Sequence, residues 1–242
     1  MAAPIALDPA VLHGMRLFAG LDAPALAEVI RSAQTRRVPK GTTIFAQGDL
    51  AQTCHALING RIKIVQTGAD GQQVVVRFIG PGEMFGTAAV FSGGRYPGDA
   101  IAMADCVEIT WPAASMTELL LGHPRIALNA LDIVGTRLQE VQNRLREMST
   151  EKVERRVAHT LLRLVRQAGR RVEHGVEIAF PLSRQDIAEM TGTTLHTVSR
   201  ILSAWETQGI VESARQQIVI RRPHVLVAIA EDLPAPTADA GE

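Results

Sequence analysis

The feature that most constrains this 242-residue chain is a run of apolar residues at its centre. Ala127, Leu131, Val134, Leu138, Val141, Leu145 and Met148 alternate by four and three without a break. Spacing of this kind keeps one narrow seam along a helix for about three heptads, and charged Arg137, Glu140, Arg144 and Glu147 lie beside it. A helix packed on its own domain shows a broader apolar face, so a strict two-in-seven stripe predicts a paired helix and a parallel homodimer. His123-Pro124 supplies the start, because proline suits a helix's first turn. A dimerisation helix over 123–149 therefore divides the chain, and the two sides of it are patterned differently.

Before it, helical spacing covers Pro9 to Phe18 and Ala23 to Ala33, and strand-like runs take over from Arg36. VPKGTTIFAQGD, CHALINGRIKIVQTG, QQVVVRFIGPGEMFG and DAIAMADCVEITWP are short β-rich stretches broken by Gly, Pro-Gly and Asp-Gly, as in an antiparallel roll or small barrel. The Asp70-Gly71 pair marks a hairpin turn. After the long helix, an amphipathic helix runs from about Thr150 to Ala168 with Val153, Val157, Leu161, Leu164 and Ala168 on one side. Ser183 caps a helix SRQDIAEMTG with Asp186 three residues on, Gly192 ends it, and a further helix begins near Thr194. Two short helices joined by a glycine-containing turn make a helix-turn-helix, and IVESARQQIVI adds two strands around a polar turn, as in a winged variant. The expected fold is α+β: an N-terminal antiparallel β-roll with its leading helices over 1–122, the dimerisation helix over 123–149, a winged helix-turn-helix over 150–224, and a helix end with a disordered acidic tail over 225–242.

Net formal charge is zero, but it is unevenly distributed. Residues 149–224 hold 12 basic and 8 acidic side chains, whereas the tail from 225 holds four acidic ones and no basic one. The excess of four positive charges falls on the helix-turn-helix segment, as a polyanionic partner requires. Cys54 and Cys106 lie far apart without a Cys-x-x-Cys pairing, which excludes a disulfide framework and a cysteine-ligated iron-sulfur cluster. The apolar runs are too short to span a bilayer and the N-terminal stretch lacks the pattern of a secretory signal, so a cytoplasmic protein without membrane association is expected.

In the helix LHTVSRILSAWET, Leu195, Val198, Ile201, Leu202 and Trp205 form an apolar stripe that is expected to face a core, and the opposite ridge presents His196, Ser199, Arg200 and Ser203. The order of roll, long helix and winged helix-turn-helix, with LSRQDIAEMTG followed by TVSRILSAWETQGIV and with RIKI and GPGEMFG in the roll, resembles the Crp-Fnr superfamily of bacterial transcription regulators over nearly the whole chain. The resemblance implies that the second helix enters the major groove of double-stranded DNA, with His196, Ser199 and Arg200 at base edges. Arg200 carries the fork that matches guanine O6 and N7, and short Ser199 permits close approach. Thr194 and Thr197 are placed at phosphates, and Ser183 and Arg184 complete the implied DNA contacts. A dimer then reads an inverted repeat with half-sites about 34 Å apart; a TTG-type half-site is implied by the HxxSR ridge. RNA polymerase becomes a further partner if the protein activates.

For the sensor, the resemblance places an effector pocket around Gly82, Glu83, Phe85, Thr87, Arg95 and Tyr96. Thr87 stands where cyclic-nucleotide binders carry a glutamate for the ribose, and Gly98-Asp99 stands where they carry Arg-Ser for the phosphate. Asp99 would repel a phosphate, which argues against cyclic AMP. What remains is similar to the nitric-oxide-responsive regulators of denitrification, some of which use haem, and to members with no small ligand. His13 and His55 are the candidate axial ligands for haem; His123 reads as a helix cap. A metal-dependent enzyme on the roll would need clustered His and carboxylate ligands, and no His-x-His occurs there.

Overall fold

In the computed structural model, which describes residues 9–214 and 216–234, the alternating runs before the long helix fold as short antiparallel strands. β1 (Gln34–Val38), β2 (Thr43–Phe45), β3 (Thr53–Asn59), β4 (Ile62–Thr67), β5 (Gln73–Ile79), β6 (Met84–Phe85), β7 (Asp99–Ala102) and β8 (Cys106–Pro112) build two four-stranded sheets. Their orders are β1-β8-β3-β6 and β2-β7-β4-β5. The Asp70-Gly71 turn joins β4 to β5: Gly71 has φ +79°, and the Gly68 and Gln72 backbones close the loop at 2.8 Å. The expected antiparallel β architecture is what the chain adopts.

Residues from both faces of the first sheet are buried. On one, α1 (Pro9–His13), a 3₁₀ turn at Arg16–Phe18 and α2 (Ala23–Arg31) cover Trp111, whose Nε1 donates to the Val29 carbonyl at 2.9 Å and whose ring lies 5.4 Å from Phe18. Inside the roll, Phe45 stacks on Tyr96 with ring centroids 3.7 Å apart, and His55 stacks on Phe85 at 5.0 Å. Two helices are absent from the sequence reading, α3 (Thr87–Phe91) and α4 (Ala113–Gly122). TAAVF is too short to show a helical period, and AASMTELLLG is apolar on several sides.

The seam lies on α5 (Pro124–Thr150), a continuous helix of 27 residues. Asn129 Nδ2 donates to the Leu17 and Ala19 carbonyls at 3.0 and 2.9 Å, and Ile126 is buried, which ties the start of α5 to the roll's leading segment. The seam itself faces away from that core. Leu131, Val134, Leu138, Val141, Leu145 and Met148 are each 50–68 % exposed. Glu147 departs from its expected place among the exposed flanking charges: it is buried, and both of its carboxylate oxygens accept from Arg163 Nη1, at 2.8 and 2.7 Å.

The chain divides into two compact units, Met1–Val141 and Gln142–Glu242. In the second, α6 (Val153–Ala168), β9 (Gly169–Val172), β10 (Gly175–Ile178), α7 (Arg184–Thr191), α8 (Leu195–Thr207), β11 (Val211–Ala214), β12 (Gln217–Ile220) and α9 (Pro223–Ala230) follow in order. The strands form a sheet ordered β11-β12-β10-β9. β9 was not foreseen, because GRRV carries no alternation and all four of its residues are exposed. The acidic tail at 235–242 lies outside the described residues.

Gly86 shows why the aromatic cluster of the roll needs a glycine. Its φ is +73°, and a Cβ there would sit 3.0 Å from Tyr96, 3.3 Å from His55 and 3.4 Å from Phe45. The left-handed backbone alone costs an L-residue about 1–2 kcal/mol. Gly86→Ala is therefore expected to lower unfolding stability of the roll by at least that much, measured by urea denaturation followed through tryptophan fluorescence; unchanged stability would show that the cluster can give way.

Candidate nucleic-acid interface and effector region

Local sequence explains the geometry of α7 and α8. Ser183 Oγ accepts from the Asp186 amide at 3.0 Å, and Asp186 Oδ2 accepts from the Ser183 amide at 3.0 Å, a complete capping box. Gly192 ends α7 in the left-handed region, at φ +61°. Thr194 then caps α8: its Oγ1 accepts from the Thr197 amide at 3.2 Å and lies 2.9 Å from Thr197 Oγ1. Val198, Ile201, Leu202 and Trp205 fix the helix against the domain, with Trp205 Nε1 donating to Glu154 at 3.1 Å.

The opposite side of α8 is open. His196 and Arg200 are exposed and have no hydrogen-bond or ion-pair partner among the described residues, and Ser199 is half-buried between them. Leu195 corrects the sequence reading. Instead of extending the buried stripe it is 47 % exposed, because the first residue after the cap projects beyond the core that the rest of the stripe meets. Its position directly after an N-cap threonine was the signal that period alone passes over.

Ser183 and Arg184 make hydrogen bonds within the domain. The Ser183 hydroxyl is held inside the capping box, and it donates to Asp186 Oδ2 at 2.6 Å. Arg184 Nη2 donates to Ser213 at 2.9 Å and to Glu206 at 3.2 Å, joining α7, α8 and β11. Both residues hold the helix-turn-helix together. Thr194 and Thr197 bond each other at the helix start, with Thr194 exposed and its backbone at the positive end of the α8 dipole.

Of the residues grouped as an effector pocket, Phe85 and Tyr96 both lie against Phe45, and Gly82, Glu83, Thr87 and Arg95 make other contacts. Gly82 forms a turn, and Glu83 beside it accepts from the Gly80 amide at 3.1 Å. Glu83 pairs with Arg77 on β5 at 3.0 Å and approaches Arg137 on α5 at 3.9 Å, and Arg137 in turn donates to Glu140 at 3.0 Å. Burial holds the Arg77 guanidinium down to about 10, with Glu83 opposing that shift. Phe85 and Tyr96 are buried in the aromatic cluster, Thr87 opens α3, and Arg95 turns outward to donate to the Gly48 carbonyl at 2.7 Å. Where a phosphate site would need Arg-Ser, a Cβ on Gly98 would meet the Val65 carbonyl at 2.6 Å, and Asp99 accepts from the Gln47 amide at 2.7 Å.

Of the haem ligand candidates, His55 is buried with both ring nitrogens occupied. Its Nδ1 lies 3.2 Å from Glu108 and its Nε2 3.5 Å from the Tyr96 phenol. It is a core histidine rather than an axial ligand. His13 is exposed at the end of α1. No group of three or more His, Cys, Asp or Glu arranged to hold a metal occurs among the described residues. Both cysteines are buried, and burial pushes the Cys54 thiol up to about 12.

Residues 35–123 match the cyclic nucleotide-binding domain family, and residues 155–229 match the Crp-like helix-turn-helix domain family. The cyclic AMP receptor protein of Thermus thermophilus is 30 % identical over 219 residues, 90 % of this chain and 98 % of that protein. Among solved structures, the Thermus thermophilus catabolite activator protein is 30 % identical with a TM-score of 0.52, over 90 % of this chain and all of that one. FixK2 from Bradyrhizobium japonicum is 26 % identical with a TM-score of 0.72, over 85 % of this chain and 99 % of that one.

Proposed function

From the premise that the chain belongs to the Crp-Fnr family of DNA-binding transcription regulators, whose members are not enzymes, we propose a homodimer that reads a two-fold inverted repeat with α8 in the major groove. The observation that carries the reading is the open ridge of α8. Arg200 and His196 are charged or polar, exposed and without partners among the described residues, on a helix anchored from its other face by Val198, Ile201, Leu202 and Trp205. In this reading Arg200 pairs with guanine O6 and N7, Ser199 lets the helix approach, and His196 tunes the neighbouring base. Thr194 and Thr197 lie at phosphates by the α8 N-terminus. Leu195 joins them as an apolar contact for a thymine methyl, which the major groove offers at every A·T pair. Ser183 and Arg184 act as positioning residues behind the helix.

The dimer rests on the seam of α5. Six large apolar side chains at half to two-thirds exposure on one helix require a covering surface, and a second copy of the same seam supplies it in parallel register. Such a regulator works where the genome is, in the bacterial cytoplasm; no helix among the described residues is long and apolar enough to cross a membrane. We infer that the effector is not a cyclic nucleotide. Asp99 and the crowded Gly98 stand where the phosphate would be held, Thr87 where the ribose would be held, and Arg95 points elsewhere. Nor does the roll favour haem, because His55 is engaged on both nitrogens and leaves only His13 as a candidate.

Four outcomes check these points. Arg200→Ala is expected to cost about 1–3 kcal/mol of DNA binding and to relax preference at one guanine per half-site, read by competition gel shift; unchanged base preference would reject its role. Replacing single thymines of the site by deoxyuridine removes only a methyl group. One replacement per half-site should weaken the wild-type dimer about fifteenfold, the worth of roughly 0.8 kcal/mol for each of the two methyl groups, and Leu195→Ala should abolish that difference. Leu138→Lys is expected to give monomers that no longer bind DNA, and a dimer persisting in light scattering would refute the seam. Haem titrated into the anaerobic protein should give no saturable Soret shift; a shift at one haem per chain that is lost in His13→Ala would restore the gas-sensing reading.

A further inference from the structure

DNA binding leaves one built feature of the roll without a task. At a mouth of the roll, beside β1, β2 and the segment leading into β3, lies a cavity of about 410 Å³ whose lining includes Arg36, Phe45, Asp49, Leu50, His55 and Tyr96. Its lining is mostly polar, with Gln34, Gln52, Thr53 and Thr110 beside the charged groups and Ile44, Phe45, Leu50 and Tyr96 as its apolar part, and its volume falls within the roughly 300–1,000 Å³ that small-molecule sites occupy. The floor is the stacked pair Phe45 and Tyr96, and 57 % exposed Leu50 forms a lip. Behind His55 a glutamate, Glu108, is fully buried. It is held by His55 Nδ1 at 3.2 Å and by Arg36 Nε.

A buried carboxylate is expensive to retain, and a close-packed apolar core would not need one. Here it fixes Arg36 across the strand pair: Arg36 and Glu108 face each other in the β1–β8 register. Arg36 remains half exposed, and its outer guanidinium nitrogens have no partner among the described residues. Asp49 holds the Ala46 amide with one carboxylate oxygen at 3.0 Å, and its other oxygen has no partner among the described residues. The cavity therefore offers a forked cation, an anion and an aromatic floor.

Charge decides between ligands. Arg36 contributes one positive charge against the two negative charges of Asp49 and Glu108. A simple organic acid would add a third negative charge, and a simple amine would leave the guanidinium fork unmet. A zwitterion satisfies both groups and leaves the balance unchanged. We propose that this cavity binds a free α-amino acid with an apolar side chain, its carboxylate on Arg36, its ammonium on Asp49 and its side chain over Phe45 and Tyr96.

The test is isothermal titration of the full-length protein, without DNA, using L-phenylalanine and L-leucine, with phenylacetate and 2-phenylethylamine as controls lacking one charge each. At least one amino acid should bind saturably at one per chain, and each control at least tenfold more weakly. Asp49→Asn keeps an acceptor for the Ala46 amide, and Arg36→Lys keeps a cation beside Glu108. Both variants should retain native circular dichroism yet lose at least tenfold in amino-acid affinity. No saturable binding of either amino acid, equal binding of phenylacetate, or unchanged affinity in Asp49→Asn would overturn the proposal. The gel shift without amino acid tests the regulator reading separately, so failure of one leaves the other intact.

Discussion

The demand for cover along α5 is the constraint on which the rest of the structure depends. Its apolar seam runs for most of a helix about 40 Å long, and each large aliphatic side chain left in water forgoes about 1.5–3 kcal/mol of transfer free energy. Nothing within the chain meets that demand among the described residues: Leu131, Leu138 and Leu145 are each more than half exposed, whereas Ile126 and Ile133, on the side that faces the roll, pack into its core. The helix thus carries two distinct apolar surfaces. One anchors it to its own unit, with Asn129 fixing the contact, and the other is left for a partner. A regulator that reads an inverted repeat needs such a two-fold element, because it copies the recognition helix at a set separation without a second gene product.

Much of this was legible in sequence because it obeys a period. The seam, the alternation of the roll strands, the Ser183 and Asp186 capping box and the glycine turn before α8 are local patterns with local causes, and they folded as their spacing demands. What was not legible depends on depth. Leu195 shares the period of Val198, Leu202 and Trp205, yet it lies one turn beyond the core and meets solvent. Glu147 shares the spacing of the charged flank, yet Arg163 draws it into the domain. Of the residues the family resemblance grouped as an effector region, Glu83 bonds the Gly80 turn, Arg95 reaches the Gly48 carbonyl and Tyr96 stacks in the aromatic cluster, contacts that no periodic pattern announces.

Buried polar groups account for the remaining difference between pattern and structure. Glu108, His55 and Arg36 stand on three strands of one sheet and are joined only by cross-strand register, Arg36 opposite Glu108 and His55 opposite Thr110. No periodic signal marks them, since each reads alone as an ordinary strand residue with a polar side chain. Once assembled they impose strict requirements. A buried carboxylate that lost either partner would keep its desolvation cost without its compensation, so the network fixes the register of β1, β8 and β3 more sharply than an apolar interior would.

That network also offers a physical route between the roll mouth and α5. His55 lines the cavity and stacks on Phe85; two residues earlier in the chain Glu83 pairs with Arg77 and reaches Arg137 on α5. A ligand over Phe45 and Tyr96 would press on the cluster packed against Gly86, where a Cβ already has no room, and β6 is the short strand that links this crowding to Glu83. Close-packed elements respond to such pressure by changing between discrete arrangements rather than by yielding continuously. Arg137 has two carboxylates within reach, Glu83 at 3.9 Å and Glu140 at 3.0 Å, one in the roll and one on its own helix. Both contacts are present together, Nη2 towards Glu83 and Nη1 to Glu140, so Arg137 ties the roll to α5. The same arginine flanks the seam, so a side chain in contact with the roll stands beside the surface on which the dimer is proposed to depend.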